Sequence, residues 1–407
     1  MIIGGYLMSI LILNRTPISM TPYAKYLKQL SEPLLLLTND EFEHEYSADD
    51  YSYIESFQNY DNNGQIYARA IEIYQQIPFR SILAIAEVDI LRAAELRNYL
   101  GLPGQSLQSA TAFRDKVVMK QLAKQHRILV PPFSRITRPA ELLQFIRTYG
   151  YPVVMKPAIG VGSKDTYAIF NDRELETLLM QGLPANYMVE SFVNGDLYHV
   201  DGVVADGKLV FCCASKYLHQ PLQYSRMGYL GSYLLDQQNP LYQRLLTQTA
   251  HLLASFPTPT NTTFHAEWFY TPDDQIILCE IASRTGGGKI IEMIEAAYHI
   301  QMVQAFLQPQ CQINMPFDQI LNTPHKLAGW VKIPPKPGKF ISAPTPILLP
   351  WVRDFQLLAE PGKEYHHPNG IGSYIASFVV DGATEQEVFE KLIYIAHWFN
   401  DHSQWAS

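Results

Sequence analysis

Residues 264–288, FHAEWFYTPDDQIILCEIASRTGGG, constrain this chain more than any other stretch. Two β-rich runs, 264–270 and 275–281, flank a Pro272-Asp273-Asp274 turn, which is the pattern of a tight antiparallel hairpin. Folding about the Asp273/Asp274 step sets Glu267 opposite Glu280 and Phe269 opposite Leu278, with both carboxylates on one face. Directly opposed side chains have Cβ atoms about 4.5 to 5.5 Å apart, and like charges so placed repel. A cation between the two acids would relieve that repulsion. Mg²⁺ is commonly held by one or two carboxylates together with substrate phosphates. Arg284 follows on the same face and could grip a phosphate bidentately. Glycines 286–288 then open an amphipathic run, 289–299, and a glycine-rich entry into a helix N-terminus is a ready anion site. An acid pair on a hairpin can also simply face water; the arginine and the glycines favour the ion.

A chain of 407 residues has room for two or three domains with substantial cores. Its 47% hydrophobic and 17% charged content suits a soluble globular protein, and its net charge of −8 argues against nucleic acid as a partner. Cys212, Cys213, Cys279 and Cys311 show neither a disulfide framework nor paired zinc spacing, so reduced thiols in a cytoplasmic protein are expected. The apolar start, 1–13, lacks a basic leader and is too short to span a bilayer. It reads as a first buried strand, with Met8 as an alternative start and no membrane partner.

Apolar runs at 9–13, 34–38 and 81–87 read as strands, with a helix-like stretch at 23–30 and helical periodicity at 90–100. Strands alternating with helices imply a parallel, helix-covered sheet. No GxGxxG follows the first strand, so a dinucleotide site is not supported. Glu87, at the end of a strand, is either a ligand contact at the carboxyl edge of the sheet or a solvated strand end. A helix at 113–127 carries Lys116 near its start. Lys116, Lys120 and Lys124 share one face, which taken alone reads as a solvated stripe.

The run 152–157, PVVMKP, is a buried strand containing Lys156, and a lysine there must find an anion or reach water. The loop after it, 158–164, carries Gly160, Gly162 and Ser163, whose backbone N–H groups can close over a phosphate. The lysine precedes the glycines and no GK[ST] ending follows, so this is a flap or a plain hairpin turn rather than a P-loop. Strands follow at 166–170 and 187–193, the first leading into a helix capped by Asn171. A hairpin about Asp206-Gly207 places His199 and Asp201 on one face, where His199 equally suits a satisfied, half-buried histidine. The irregular stretch 217–234, with Arg226 at its middle, suits a binding loop or lid. A helix at 241–256 leads back to the acidic hairpin. Beyond 310, proline-rich strand-like sequence, a strand at 371–380 and a helix at 384–399 suggest a small α+β unit.

These parts, in this order, resemble the ATP-grasp superfamily of carboxylate-amine ligases, specifically the L-amino acid (dipeptide) ligases. The resemblance covers most of the chain, through IAEVDILRAAELRNYLGLPGQ and then residues 113–308. It implies an α/β and α+β multidomain ATP-grasp fold. The expected division is a Rossmann-like pre-ATP-grasp domain at 1–110, a small lobe with the flap at 111–189, a large lobe with the metal site at 190–310, and a C-terminal subdomain at 311–407. By that likeness Lys116 and Lys156 bind the ATP phosphates, and Gly160, Gly162 and Ser163 cover them. Glu190, Ser191, Phe192 and Val193 form the hinge whose backbone reads adenine. Glu267 and Glu280 hold two Mg²⁺ ions, with Mn²⁺ a possible substitute, and Arg284 steadies the transferred phosphoryl group. Arg284, Gly287, Gly288, Trp268, His199 and Arg226 are the candidate substrate residues. Two departures stand out: Leu197 where many relatives carry an acid two positions after the hinge glycine, and Ser283 where an asparagine usually gives a third metal ligand. The implied partners are amino acids and a second copy of the chain. The residues also leave open a non-amino-acid amine or thiol acceptor, or a nucleotide-binding protein without catalysis.

Overall fold

Short, continuously apolar strands demand cover on both faces, and the N-terminal part of the chain supplies it. The computed structural model describes the chain except residues 1, 4–5, 163, 184, 222–223, 318–321, 345–348, 369 and 407. Four parallel strands run in the order Tyr53–Phe57, Leu34–Asn39, Ser9–Asn14, Phe79–Ala84. Alternation sends Leu11, Leu13 and Leu37 to one face, against helices Gln65–Gln76 and Glu87–Leu100. Ile10, Ile12 and Leu36 go to the other, where Val303, Phe306 and Leu307 of helix Met302–Gln310 meet them. The third apolar run ends as a strand at Ala84, so Glu87 starts a helix rather than finishing a strand.

A second sheet is antiparallel, with strand order Phe133–Ile136, Tyr187–Ser191, Val153–Pro157, Tyr167–Ile169. Helices Pro139–Tyr149 and Asp172–Met180 cover one face through Leu142, Phe145, Leu175 and Leu178. Asn171 caps the second of these, accepting from the N–H of Glu174. The single helix expected at 113–127 is two, Leu107–Arg114 and Lys116–Gln125. They meet at Asp115, whose carboxylate accepts from the N–H groups of Val117 and Val118.

The third sheet has eight antiparallel strands in the order Ile276–Ala282, Thr262–Tyr270, Asp196–Ala205, Lys208–Tyr217, Leu230–Leu234, Leu327–Ile333, Ala376–Gly382, Val352–Leu357. Strands Leu327–Ile333, Ala376–Gly382 and Val352–Leu357 therefore extend the sheet that carries the acidic hairpin, while Gly338–Ser342, Glu364–Tyr365 and Gln404–Ala406 form a small sheet of their own. The stretch expected to be irregular at 217–234 contains helix Tyr224–Met227 and strand Leu230–Leu234, because Leu230, Ser232 and Leu234 are buried in the sheet. Helix Tyr242–Ser255 packs on one face; helices Ile290–Tyr298 and Glu385–His402 cover the other. Among the described residues no helix is long and apolar enough to cross a membrane.

Candidate active site

The hairpin closes at 271–275, where the Asp274 N–H donates to the Thr271 carbonyl (3.0 Å). Glu267 pairs directly with Glu280 as expected, but the turn register is one residue away from the expected one, and the pairing is restored only by a bulge. Between Glu267 and Trp268 the register shifts, so Phe269 pairs with Ile277 and not with Leu278. The extra residue is Cys279, a bulge of the kind that re-aims side chains beside functional sites. Cys279 and Glu280 both line the cleft while Leu278 stays in the core on the opposite side.

Lys120 secures that bulge. Its fully buried ammonium donates to the carbonyls of Leu278 (3.0 Å) and Cys279 (2.9 Å) and lies 3.1 Å from Glu190 Oε2. The lysine stripe thus divides: Lys116 and Lys120 are buried and Lys124 is exposed. Lys156 reaches Glu190 Oε1 at 2.6 Å. Burial works against its charge, but Glu190, Cys279 and Glu280 together outweigh burial and hold the ammonium well above the usual lysine range. Lys116 sits 3.2 Å from Glu280 Oε2 and 3.2 Å from the Gly160 carbonyl. Burial would push Glu280 up, yet Lys116 and Lys156 hold its carboxyl down at about 2.

These groups line one shared cleft. Lys116, Lys156, Gly160, Gly162, Glu190, Ser191, Phe192, Val193, Glu267 and Glu280, all expected to meet, line it together. Ser163 falls outside the described residues. Gly162 has φ +64°, a conformation that favours glycine, and it faces Ile371. Of the hinge residues, Ser191 and Phe192 already donate their N–H groups to the Pro132 and Pro152 carbonyls, and the Glu190 side chain turns inward to the two lysines. Leu197 and Gln220 also line the cleft. Ser283 is buried away from it, donating to or accepting from Gln105, because three residues on from Glu280 the strand presents its other face.

Arg284 does not stand free beside Glu280. Its Nε donates to Glu87 Oε2 at 2.6 Å, while the other Glu87 oxygen pairs with Arg114. Burial would raise the Glu87 carboxyl, but Arg284, Arg114 and Lys116 together keep it below the usual range. The strand–helix boundary at 84–87 thus delivers an acid from the N-terminal sheet to the hairpin's arginine. Arg114 was not anticipated; Glu87 was flagged only by its place at a sheet edge.

Trp268 does not face the cleft. Next to Glu267 along the strand, it points to the opposite face, fully buried, with Nε1 donating to Thr249 Oγ1 at 3.0 Å. His199 is likewise fully buried behind Glu267 rather than in the cleft. Its Nδ1 and the Asp201 carboxylate are 2.5 Å apart, and Nε2 lies 2.8 Å from Ser232 Oγ. His265, which the sequence reading passed over, joins Asp201 to Glu267. Burial works against its protonation, but Asp201 and Glu267 together outweigh burial and push it up to about 10. Arg226 is exposed on its short helix. Gly287 has open space around it, whereas a Cβ on Gly288 would lie 2.7 Å from the Trp330 ring.

This architecture, with its cleft between an antiparallel four-stranded sheet and a larger one carrying paired acids, is the ATP-grasp fold, and residues 149–293 match the ATP-grasp domain family. Within that class the chain is similar to L-amino acid ligases. It is 29% identical over 245 residues to the L-arginine-specific L-amino acid ligase of Bacillus subtilis; the match covers 58% of this chain and 59% of that protein. The crystal structure of L-amino acid ligase from Bacillus licheniformis superposes with a TM-score of 0.78 at 15% identity, over 98% of this chain and 99% of that one. Carboxyaminoimidazole ribonucleotide synthase from Aspergillus clavatus, complexed with ATP, gives 0.72 at 14% identity over 96% and 99%.

Proposed function

We propose that the chain is an ATP-dependent carboxylate-amine ligase that joins two amino acids through an acyl-phosphate and releases ADP and phosphate. The observation that carries this reading is the direct pairing of Glu267 with Glu280 at a cleft that also receives Lys116 and Lys156. Two acids with oxygen-only donor chemistry, opposed on one face, fit Mg²⁺ and would hold two such ions with the nucleotide's phosphates. When bound, the metal supplies charge neutralisation at the phosphoryl oxygens. The nucleotide would lie between segments 111–189 and 190–310, flanked by 1–110 and 311–407.

The chain's own residues then have separable tasks. Lys156, held cationic against burial by its acidic surroundings, and Lys116, beside Glu280, would neutralise the triphosphate, and the 160–162 flap would exclude water. A substrate carboxylate oxygen attacks the γ-phosphorus, and the bond to the β,γ-bridging oxygen breaks with its electron pair leaving on ADP. The second substrate's amine attacks the acyl carbon, the carbon–oxygen bond to phosphate breaks, and the amine sheds one proton. Arg284 would steady the transferred phosphoryl group, with Glu87 and Arg114 fixing its guanidinium. No side-chain nucleophile is needed; positioning and charge do the catalysis. Similarity to L-amino acid ligases supports amino acids as substrates.

A screen of amino acid pairs for ADP and phosphate release tests the reading. Release of AMP and pyrophosphate instead would reject the acyl-phosphate route. Nucleotide binding without turnover on any amine or thiol acceptor would favour a binding protein, the alternative that Leu197 in the cleft wall keeps in play.

A further inference from the structure

Strand register places four ionisable side chains on one face of two neighbouring strands. His199 pairs across with Glu267 and Asp201 with His265, and alternation along each strand puts all four on the cleft side of the sheet. The four form a chain. His265 Nδ1 lies 2.8 Å from Asp201 Oδ1, and its Nε2 lies 3.3 Å from Glu267 Oε1. Asp201 Oδ2 meets His199 Nδ1 at 2.5 Å, and His199 Nε2 meets Ser232 Oγ at 2.8 Å. Tyr217 donates its hydroxyl to the same Glu267 Oε1 at 2.8 Å. Ligand atoms of His199, Asp201 and His265 fall within 4.8 Å of one another, the spacing of a metal cluster. Here, however, both Asp201 oxygens are taken by the two Nδ1 atoms, so the set is closed on itself.

Carboxylates only accept, so His265 must donate from both ring nitrogens. Its Nε2–H and the Tyr217 hydroxyl both converge on Oε1, which leaves Glu267 Oε2 as the oxygen not held by either donor. We propose that His265 is a positioning residue: it locks the Glu267 rotamer so that one oxygen is anchored and the other is presented to the metal, and Asp201, His199 and Ser232 fix the imidazole in turn. This rests on the nucleotide-and-metal reading above. The arrangement matches the general design in which outer partners orient metal-ligating carboxylates, and losing such a partner typically costs about 10–100-fold in metal affinity.

Titration calorimetry of ATP into the full chain, across a series of Mg²⁺ concentrations and in EDTA, tests the proposal without requiring turnover. His265→Asn keeps an amide near the Nδ1 position and loses the donor to Glu267. It is expected to raise the Mg²⁺ needed to tighten ATP binding by about 10–100-fold while leaving the EDTA affinity within about twofold. His265→Gln, whose amide reaches toward Oε1, should restore part of that loss, which a merely structural role for the ring would not. Tyr217→Phe, a milder change at the same oxygen, should shift the Mg²⁺ requirement in the same direction and keeps the test open if His265→Asn does not fold. An unchanged Mg²⁺ requirement in His265→Asn or Tyr217→Phe, or a Gln variant no better than Asn, overturns the proposal. Wild-type ATP binding indifferent to Mg²⁺ would instead remove the metal reading itself, and this proposal with it.

Discussion

Lys332 illustrates how much a single buried charge can weigh. It lies in strand Leu327–Ile333, 7% exposed, with its ammonium 4.0 Å from the centre of the Tyr374 ring. Burial pulls its pKa down from 10.5 to about 8; Glu292 opposes that shift and Lys289 adds to it. Below about pH 8 the folded protein therefore carries a charge it would rather shed, at a cost of about 3 kcal/mol partly offset by the aromatic face. Between pH 8 and 10.5 the unfolded chain binds more protons at this site than the folded one, so this group's contribution to stability rises with pH across that window. Lys332→Met is expected to stabilise the protein at about pH 7 by about 1–3 kcal/mol, with the gain shrinking towards about pH 10. Calorimetric unfolding of both proteins at the two pH values checks it, and an equal difference at both would show that the lysine is not the titrating group. At the hairpin, Glu267→Gln and Glu280→Gln each remove one of the paired acids. Each should lower ADP release by at least about tenfold with the melting temperature nearly held, as expected for residues whose role is to hold the metal with the nucleotide's phosphates. A variant with full turnover would exclude that acid from the metal site.

At the level of the element, the bulge at Cys279 decides where Glu280 points, and Lys120 is what holds it. Replacing this lysine by methionine leaves the Leu278 and Cys279 carbonyls and one Glu190 oxygen without their cationic partner. Buried acceptors left unpaired cost about 1–3 kcal/mol each. Lys120→Met should thus lower the melting temperature clearly and reduce activity further than the stability loss explains, because Glu280 loses its support. Lys120→Arg, which keeps the charge but not the compact geometry, should recover stability more than activity. Comparable ADP release in Lys120→Met and wild type at a temperature where both are folded would show that the bulge holds without the lysine.

Across the whole molecule, the Glu87 bridge ties the N-terminal sheet to the hairpin. Glu87 joins Arg284, nearly two hundred residues away in sequence, and Arg114 at the end of helix Leu107–Arg114. Removing one member of such a buried set typically destabilises by about 3–5 kcal/mol, because the others are left uncompensated. Glu87→Gln should therefore lower stability and loosen the N-terminal sheet from the rest, read as faster amide exchange in strand Phe79–Ala84. Exchange unchanged from wild type would mean that helix Met302–Gln310, packed on the same sheet, carries the coupling alone. What was legible beforehand followed from local rules. Period-two alternation and a Pro-Asp-Asp turn were enough to place an antiparallel hairpin with Glu267 and Glu280 on its two strands, although their direct pairing depends on the bulge, and a lysine inside an apolar strand was enough to call for an anion. The burial of Trp268 was legible in principle by the same alternation that points Glu267 the other way. The rest had no local signal. The bulge at Cys279, the Lys120 clamp, the Arg114–Glu87–Arg284 bridge and the His265 link to Glu267 are agreements between segments far apart in the chain, set by which strand lies beside which. Spacing in a sequence carries the period of a helix or strand, whereas the partner of a buried charge is chosen by whatever the folded core brings within about 3 Å of it.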